Sequence, residues 1–267
     1  MTTQISWIGV DSRVPSSVYI ATDSRISWGA KDTWDAGQKV FSSVSSPQIW
    51  GYSGDVLFPS QAIGQFVHAL DNGAFQSDKF CEISAHASFV NSIQNQFKGY
   101  PVPCAQNFSI IHCVRIAEKM NTQFAVWKTS WAQGIGWKDE RLASPTTSDL
   151  IQVEGSGTKT FKGWNMRLKK SEIGGTSRAI FQAFTQSIRS EADAFTFGPP
   201  QLVALRRVGN GLSHLISWDD RVWLNGIEVT GENSLCLECF NEDFERCDPK
   251  TGVRLVDAQR QPLPRHY

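Results

Sequence analysis

An excess of either charge is missing from this chain: 26 lysines and arginines balance 26 aspartates and glutamates over 267 residues. Neutralising a phosphate backbone normally takes a basic excess, so the balance argues against a dedicated nucleic-acid binder. Long apolar runs are missing too, and none reaches the roughly 20 residues of a bilayer-crossing helix, so no membrane partner is expected. The N-terminus has neither the basic start nor the apolar stretch of a signal peptide, which points to the cytosol. Cysteine is scarce. Cys81, Cys104, Cys113, Cys236, Cys239 and Cys247 are too few to staple a chain this long and read as free thiols in a reducing compartment. Cys236-Leu237-Glu238-Cys239 and Cys247 could supply part of a zinc site, with His266 or a distant Cys or His as fourth ligand. Small unliganded thiols are the reading adopted, so no metal and no cofactor is expected. Internal repeats and low-complexity linkers are also lacking.

What is present is 40% hydrophobic, enough for one large globular domain or two small ones. Thr2–Val10 and Ser17–Asp23 read as strands joined by the polar turn Asp11–Ser16, with Val18, Ile20 and Thr22 alternating against Tyr19, Ala21 and Asp23. A short hairpin is expected over Gln38–Phe41 and Gln48–Tyr52. Ile63, Phe66, Val67 and Leu70 fall on one helical face closed by Asn72-Gly73, and Ile83, Val90, Ile93 and Phe97 make a second stripe. Strands follow at Phe108–Ile116, Thr122–Lys128 and Leu150–Val153. A third helix runs from about Ser177 to Ser190, with Ile180, Phe184 and Ile188 at four-residue steps. Gln201–Val208 and Leu212–Trp218 form a hairpin around Gly209-Asn210-Gly211, the strongest local turn signal. This order predicts an α+β fold with two sheets between helical layers. Residues 2–220 read as the domain, and 221–267 as an extension, either loosely ordered or an interaction element.

The chemistry-bearing residues begin at the start. Thr2 and Thr3 stand behind Met1, and removal of Met1 would put a free α-amine and a β-hydroxyl on Thr2, a nucleophile carrying its own base. An α-amine titrates near 8, close enough to serve as a base at cellular pH. Such an amine needs a nearby cation to keep it neutral and a carboxylate to hold that cation. Asp23, in Ala21-Thr22-Asp23-Ser24-Arg25, and Lys39 can fill these roles, whereas Arg25 reads as a structural ion-pair partner. Downstream stand Ser53-Gly54-Asp55, then Gly155-Ser156-Gly157, then Asp193-Ala194-Phe195-Thr196.

In this order the residues resemble the threonine peptidases of the proteasome β-subunit and bacterial proteasome-like type, members of the N-terminal nucleophile hydrolase superfamily. The likeness spans roughly residues 2–218. The Asp23-to-Lys39 interval of 16 (39 − 23) and the Ser156-to-Asp193 interval of 37 (193 − 156) match that family. Thr2 to Asp23 is 21 (23 − 2), longer than usual there, a difference that a longer hairpin tip absorbs. Residues 129–148 and the tail after about 220 have no counterpart in it.

The resemblance implies a four-layer αββα sandwich with Thr2 as nucleophile and with Asp23, Lys39, Ser156, Asp193 and Thr196 around it. Thr196 stands where the family has serine, and can donate the same hydrogen bond. The Gly54 turn would offer a backbone N–H to the oxyanion. It further implies peptide or unfolded-protein substrates, a homo-oligomeric ring and an ATP-dependent unfoldase. A start with no propeptide ahead of Thr2 is closest to the bacterial branch. Two other readings stand beside it: an amidohydrolase acting on a small amide by the same Thr2 chemistry, and a catalytically silent scaffold of the same fold. Trp28, Trp34 and Tyr52 are candidates for an aromatic specificity pocket or for core packing.

Overall fold

The structure, a computed structural model, describes residues 2–258 apart from Arg13, Ala30, 76–80, 102–104 and 231–236. Met1, Cys104, Cys236 and His266 therefore lie outside the described residues. The chain opens with an antiparallel hairpin, β1 (Thr3–Val10) and β2 (Pro15–Thr22), followed by a small ribbon, β3 (Ile26–Trp28) and β4 (Asp32–Trp34). β5 (Val40–Ser42) and β6 (Gln48–Gly54) start a second sheet and lead into α1 (Leu57–Asp71) and α2 (Glu82–Phe97). β7 (Phe108–Ile116), β8 (Gln123–Ala132) and β9 (Gly136–Leu142) complete that sheet in the order β5-β6-β7-β8-β9. β10 (Asp149–Gly155) returns to the first sheet and is followed by α3 (Thr158–Lys169) and α4 (Ser177–Arg189). β11 (Gln201–Arg206), β12 (Leu212–Trp218), β13 (Arg221–Leu224) and β14 (Ile227–Glu228) then extend the first sheet, and β15 (Cys239–Phe240) pairs parallel to β12. The first sheet reads β10-β1-β2-β11-β12-β13-β14.

Alternation along the strands sorts the core into three apolar layers, as the two-residue period of a pleat requires. On β1, Ile5 and Trp7 point to one side and pack with Ile180, Phe181 and Phe184 of α4. Ile8 points the other way, joining Val18 and Ile20 against Val40, Ile49, Ile111 and Val126 of the second sheet. On the far face of that sheet Trp50, Tyr52 and Ile110 meet Ile63 and Phe66 of α1 and Phe89 and Ile93 of α2. The result is helix, sheet, sheet, helix: an αββα sandwich.

Each helix is placed by its stripe. In α4 Thr176 accepts a cap hydrogen bond from the Ala179 N–H at 3.2 Å, and Ile180, Phe181, Phe184 and Ile188 are all buried. Full burial of each such side chain contributes about 1.5–3 kcal/mol. On α2 the expected stripe is shifted: Ile83 is exposed and His86 takes the inward position ahead of Phe89 and Ile93. The first turn of α2 borders a cavity lined by Cys81, Ser84, Ala85 and Arg115, and Ile83 is not part of its wall.

Residues 129–148 contribute the end of β8 and the edge strand β9. The described part of the segment after 220 packs on the first sheet, with Phe240 and Phe244 in the layer beneath α4. Among the described residues no helix is long and apolar enough to cross a membrane.

Candidate active site

The site is assembled where β1 begins. Asp23 follows directly on β2, which pairs with β1, and this brings the carboxylate beside the chain start. Thr3 N–H donates to Asp23 Oδ1 at 2.9 Å, and Asp23 N–H donates back to the Thr3 carbonyl at 3.3 Å. Asp23 Oδ2 accepts from the N–H groups of Arg25 (3.0 Å) and Phe197 (3.3 Å). Lys39 Nζ lies 3.2 Å from both carboxylate oxygens and donates to the Arg25 carbonyl at 2.5 Å. Both side chains of the pair are 0% exposed.

Burial disfavours charge on each partner. It pushes the Lys39 ammonium below its usual pKa, with Asp23 opposing, and lifts the Asp23 carboxyl above its own, with Lys39 and the backbone donors opposing. A lysine in such a place surrenders a proton more readily than a surface lysine. Its backbone is held in turn by Gln201: Lys39 N–H donates to Gln201 Oε1 at 3.0 Å, while Gln201 Nε2 donates to the Gly37 carbonyl at 2.6 Å. Arg25 forms a bidentate pair with Asp35 at 2.7 and 2.9 Å and lies 4.5 Å over the Phe197 ring, a structural role.

A second polar cluster closes on the same point from the loops after β10 and α4. Asp193 Oδ2 accepts from Ser156 Oγ and from Thr196 Oγ1, each at 2.7 Å. Thr196 Oγ1 lies 2.7 Å from Thr3 Oγ1, so the hydroxyl chain reaches the start of β1. Glycine is required on both sides of Ser156. A Cβ on Gly155, whose φ is +93°, would sit 1.7 Å from the Thr2 carbonyl oxygen, and one on Gly157 would sit 1.8 Å from Thr3 Oγ1.

The predicted residues thus converge: Asp23 and Lys39 on one side of the chain start, Ser156, Asp193 and Thr196 on the other. Both clusters bond to Thr3; Thr2, the residue before it, is 1% exposed, and its Oγ1 makes no hydrogen bond among the described residues. Gly54 ends β6 at φ +98°, with no room for a Cβ because Asn107 O would be 2.2 Å away. It lines a cleft of about 790 Å³ together with Ile26, Trp28, Trp34, Gln38 and Tyr52. Trp28 and Trp34 are exposed on the β3–β4 ribbon, whereas Tyr52 is buried and its hydroxyl donates to the Gln38 carbonyl at 3.0 Å.

Two participants escaped the sequence reading. Thr3 was visible only as a neighbour of Thr2, and Gln201 only as the first residue of a strand; neither position carries a local signal of its tertiary partner. Elsewhere, Cys239 and Cys247 are buried thiols with sulfurs 3.4 Å apart. Among the described residues no group of three or more His, Cys, Asp or Glu is arranged to hold a metal ion.

No known family profile matches the chain, and no curated protein matches it. Among solved structures it is similar to the eukaryotic HslV from Trypanosoma brucei, at 10% sequence identity and a TM-score of 0.46, over 76% of this chain and 99% of that one.

Proposed function

We propose that the protein is a threonine-type N-terminal nucleophile hydrolase that cleaves peptide bonds with Thr2 after removal of Met1. The observation that carries this reading is the fully buried Lys39–Asp23 pair bonded to the backbone of Thr3, one residue from an unbonded Thr2 hydroxyl. A buried ion pair is weak evidence for stability, because desolvation offsets much of its attraction. Its place one residue along the chain from an unbonded hydroxyl fits a charge array kept for chemistry.

In the proposed mechanism the Thr2 hydroxyl attacks the carbonyl carbon and its proton passes to the Thr2 amine, directly or through a water. Lys39 disfavours protonation of that amine beforehand, and Asp23 holds Lys39 in place. Ser156, Asp193 and Thr196 fix the amine, and the Gly54 N–H stabilises the oxyanion. The leaving amine departs with the proton, and water resolves the acyl-enzyme. The cleft beside Gly54 receives the substrate side chain, with Trp28 and Trp34 at its rim. Substrates are peptides or unfolded proteins, and the setting is a cytosolic homo-oligomeric ring served by an ATP-dependent unfoldase. A monomeric mass by light scattering at micromolar concentration would contradict the ring.

The test is a comparison of wild type and Thr2→Ala on an unfolded protein and on a short amide substrate. Cleavage of the unfolded protein by wild type alone supports the proposal. Wild-type rates from Thr2→Ala refute it, and activity confined to the small amide moves the reading to an amidohydrolase.

A further inference from the structure

Thr3 is fully buried and reaches both polar clusters at once. Its N–H donates to Asp23 Oδ1 at 2.9 Å, and its Oγ1 lies 2.7 Å from Thr196 Oγ1. The direction of the second bond follows from proton counting. Thr196 has one hydroxyl proton and gives it to Asp193 Oδ2 at 2.7 Å, so towards Thr3 it can only accept. Thr3 is therefore the donor, and the chain runs Thr3 to Thr196 to Asp193, with Ser156 entering Asp193 from the other side. The loop after β10 closes over this contact with no space to spare, because a Cβ on Gly157 would meet Thr3 Oγ1 at 1.8 Å and Thr196 Oγ1 at 2.8 Å.

We infer that Thr3 is a positioning residue for the Thr2 chemistry, an inference that rests on Thr2 being the nucleophile. Among the described residues, Thr3 is the one that bonds to the Asp23–Lys39 pair through its backbone and to the Asp193 cluster through its side chain. Consecutive Cα atoms are about 3.8 Å apart across a trans peptide, so a fixed Thr3 leaves Thr2 little freedom. A misplacement of about 1 Å in a reacting group can lower a rate about 100-fold. The hydroxyl has little structural duty of its own. Without it Thr196 still donates to Asp193, and no buried donor is left without an acceptor.

The experiment compares wild type, Thr3→Ser and Thr3→Ala. The readout is the second-order rate of acylation by a threonine-directed β-lactone, followed by intact mass, with the melting temperature measured alongside. Thr3→Ser keeps the hydroxyl and drops the methyl; Thr3→Ala drops both. Well below each melting temperature, Thr3→Ser reacts within threefold of wild type and Thr3→Ala at least tenfold more slowly. If Thr3→Ala does not fold, Thr3→Val, which refills the space, takes its place with the same expected loss. Acylation of Thr3→Ala within twofold of wild type, or Thr3→Ser as slow as Thr3→Ala, overturns the inference. Absence of any Thr2 adduct on wild type removes the nucleophile reading and this role with it, whereas a reactive wild type with an unimpaired Thr3→Ala removes Thr3 alone.

Discussion

Removing either partner of the Lys39–Asp23 pair should have unequal consequences, and the inequality follows from who else holds each group. Asp23 accepts from three backbone N–H groups, those of Thr3, Arg25 and Phe197, besides Lys39. Lys39 has Asp23 and the Arg25 carbonyl. In Lys39→Met the carboxyl keeps its backbone donors, and burial already favours its protonated form. The loss should be about 1–3 kcal/mol, in the range of one buried polar partner.

In Asp23→Leu Lys39 loses its counter-ion, and burial favours its neutral form just as it favours the protonated carboxyl in the reverse case, a loss of about 1–3 kcal/mol. Three backbone N–H groups are orphaned as well, at about 1–3 kcal/mol each. That sum approaches the whole stability of an ordinary domain, about 5–15 kcal/mol. Urea denaturation followed by tryptophan fluorescence should give a cooperative transition for Lys39→Met and little or none for Asp23→Leu. The pH dependence of Lys39→Met is also fixed in sign. A carboxyl whose folded pKa lies above its unfolded value stabilises the fold while protonated, and loses that contribution as pH rises through the folded pKa. Lys39→Met should therefore lose stability relative to wild type as pH rises above the ordinary carboxylate range. Equal losses from the two substitutions, or the opposite pH trend, would refute the reasoning.

Other outcomes follow from the same contacts. His214 is 2% exposed, and burial lowers its pKa to about 4. The unfolded chain therefore binds a proton that the folded one refuses between about pH 6.5 and 4. Stability should fall by about 3 kcal/mol as pH drops through that window, and His214→Phe should flatten that part of the curve in acid denaturation monitored by circular dichroism. Gly157→Ala puts a methyl where Thr3 Oγ1 and Thr196 Oγ1 sit, so it should keep the far-ultraviolet spectrum and lose at least tenfold in peptide cleavage. A spectrum and activity both unchanged would mean that the Ser156 loop has room the structure denies. His86 Nε2 lies 3.1 Å from both oxygens of Asp139, between α2 and β9. Asp139→Asn should lower stability by about 1–3 kcal/mol and leave cleavage rates within twofold.

The parts legible in the sequence were those that announce themselves locally. α4 shows its apolar stripe in Ile180, Phe184 and Ile188, and the β11–β12 hairpin shows its turn in Gly209-Asn210-Gly211. α3 was missed because, among its residues, only Phe161 and Asn165 are buried, which leaves a polar helix with no readable face. β9 was missed because Gly136–Leu142 is an edge strand with exposed charges, and β3 and β4 because three residues are too few to show a period. At the candidate site, motif order singles out Asp23, Lys39, Ser156, Asp193 and Thr196, and the structure pairs Asp23 with Lys39 and bonds Ser156 and Thr196 to Asp193. It does not single out Gln201 and Thr3, because a buried amide and a second threonine acquire meaning only from partners 162 and 193 residues away. The His86–His112 contact at 2.9 Å is of the same kind, since nothing on α2 marks an inward histidine as paired with one on β7.

The most direct test of Thr2 as nucleophile is the intact mass of the purified protein after incubation with a threonine-directed β-lactone, with the adduct mapped to its residue. The account predicts a chain without Met1 carrying one adduct on Thr2, and none on Thr2→Ala. A chain that has lost Met1 and carries no adduct, or an adduct that persists in Thr2→Ala, would contradict it.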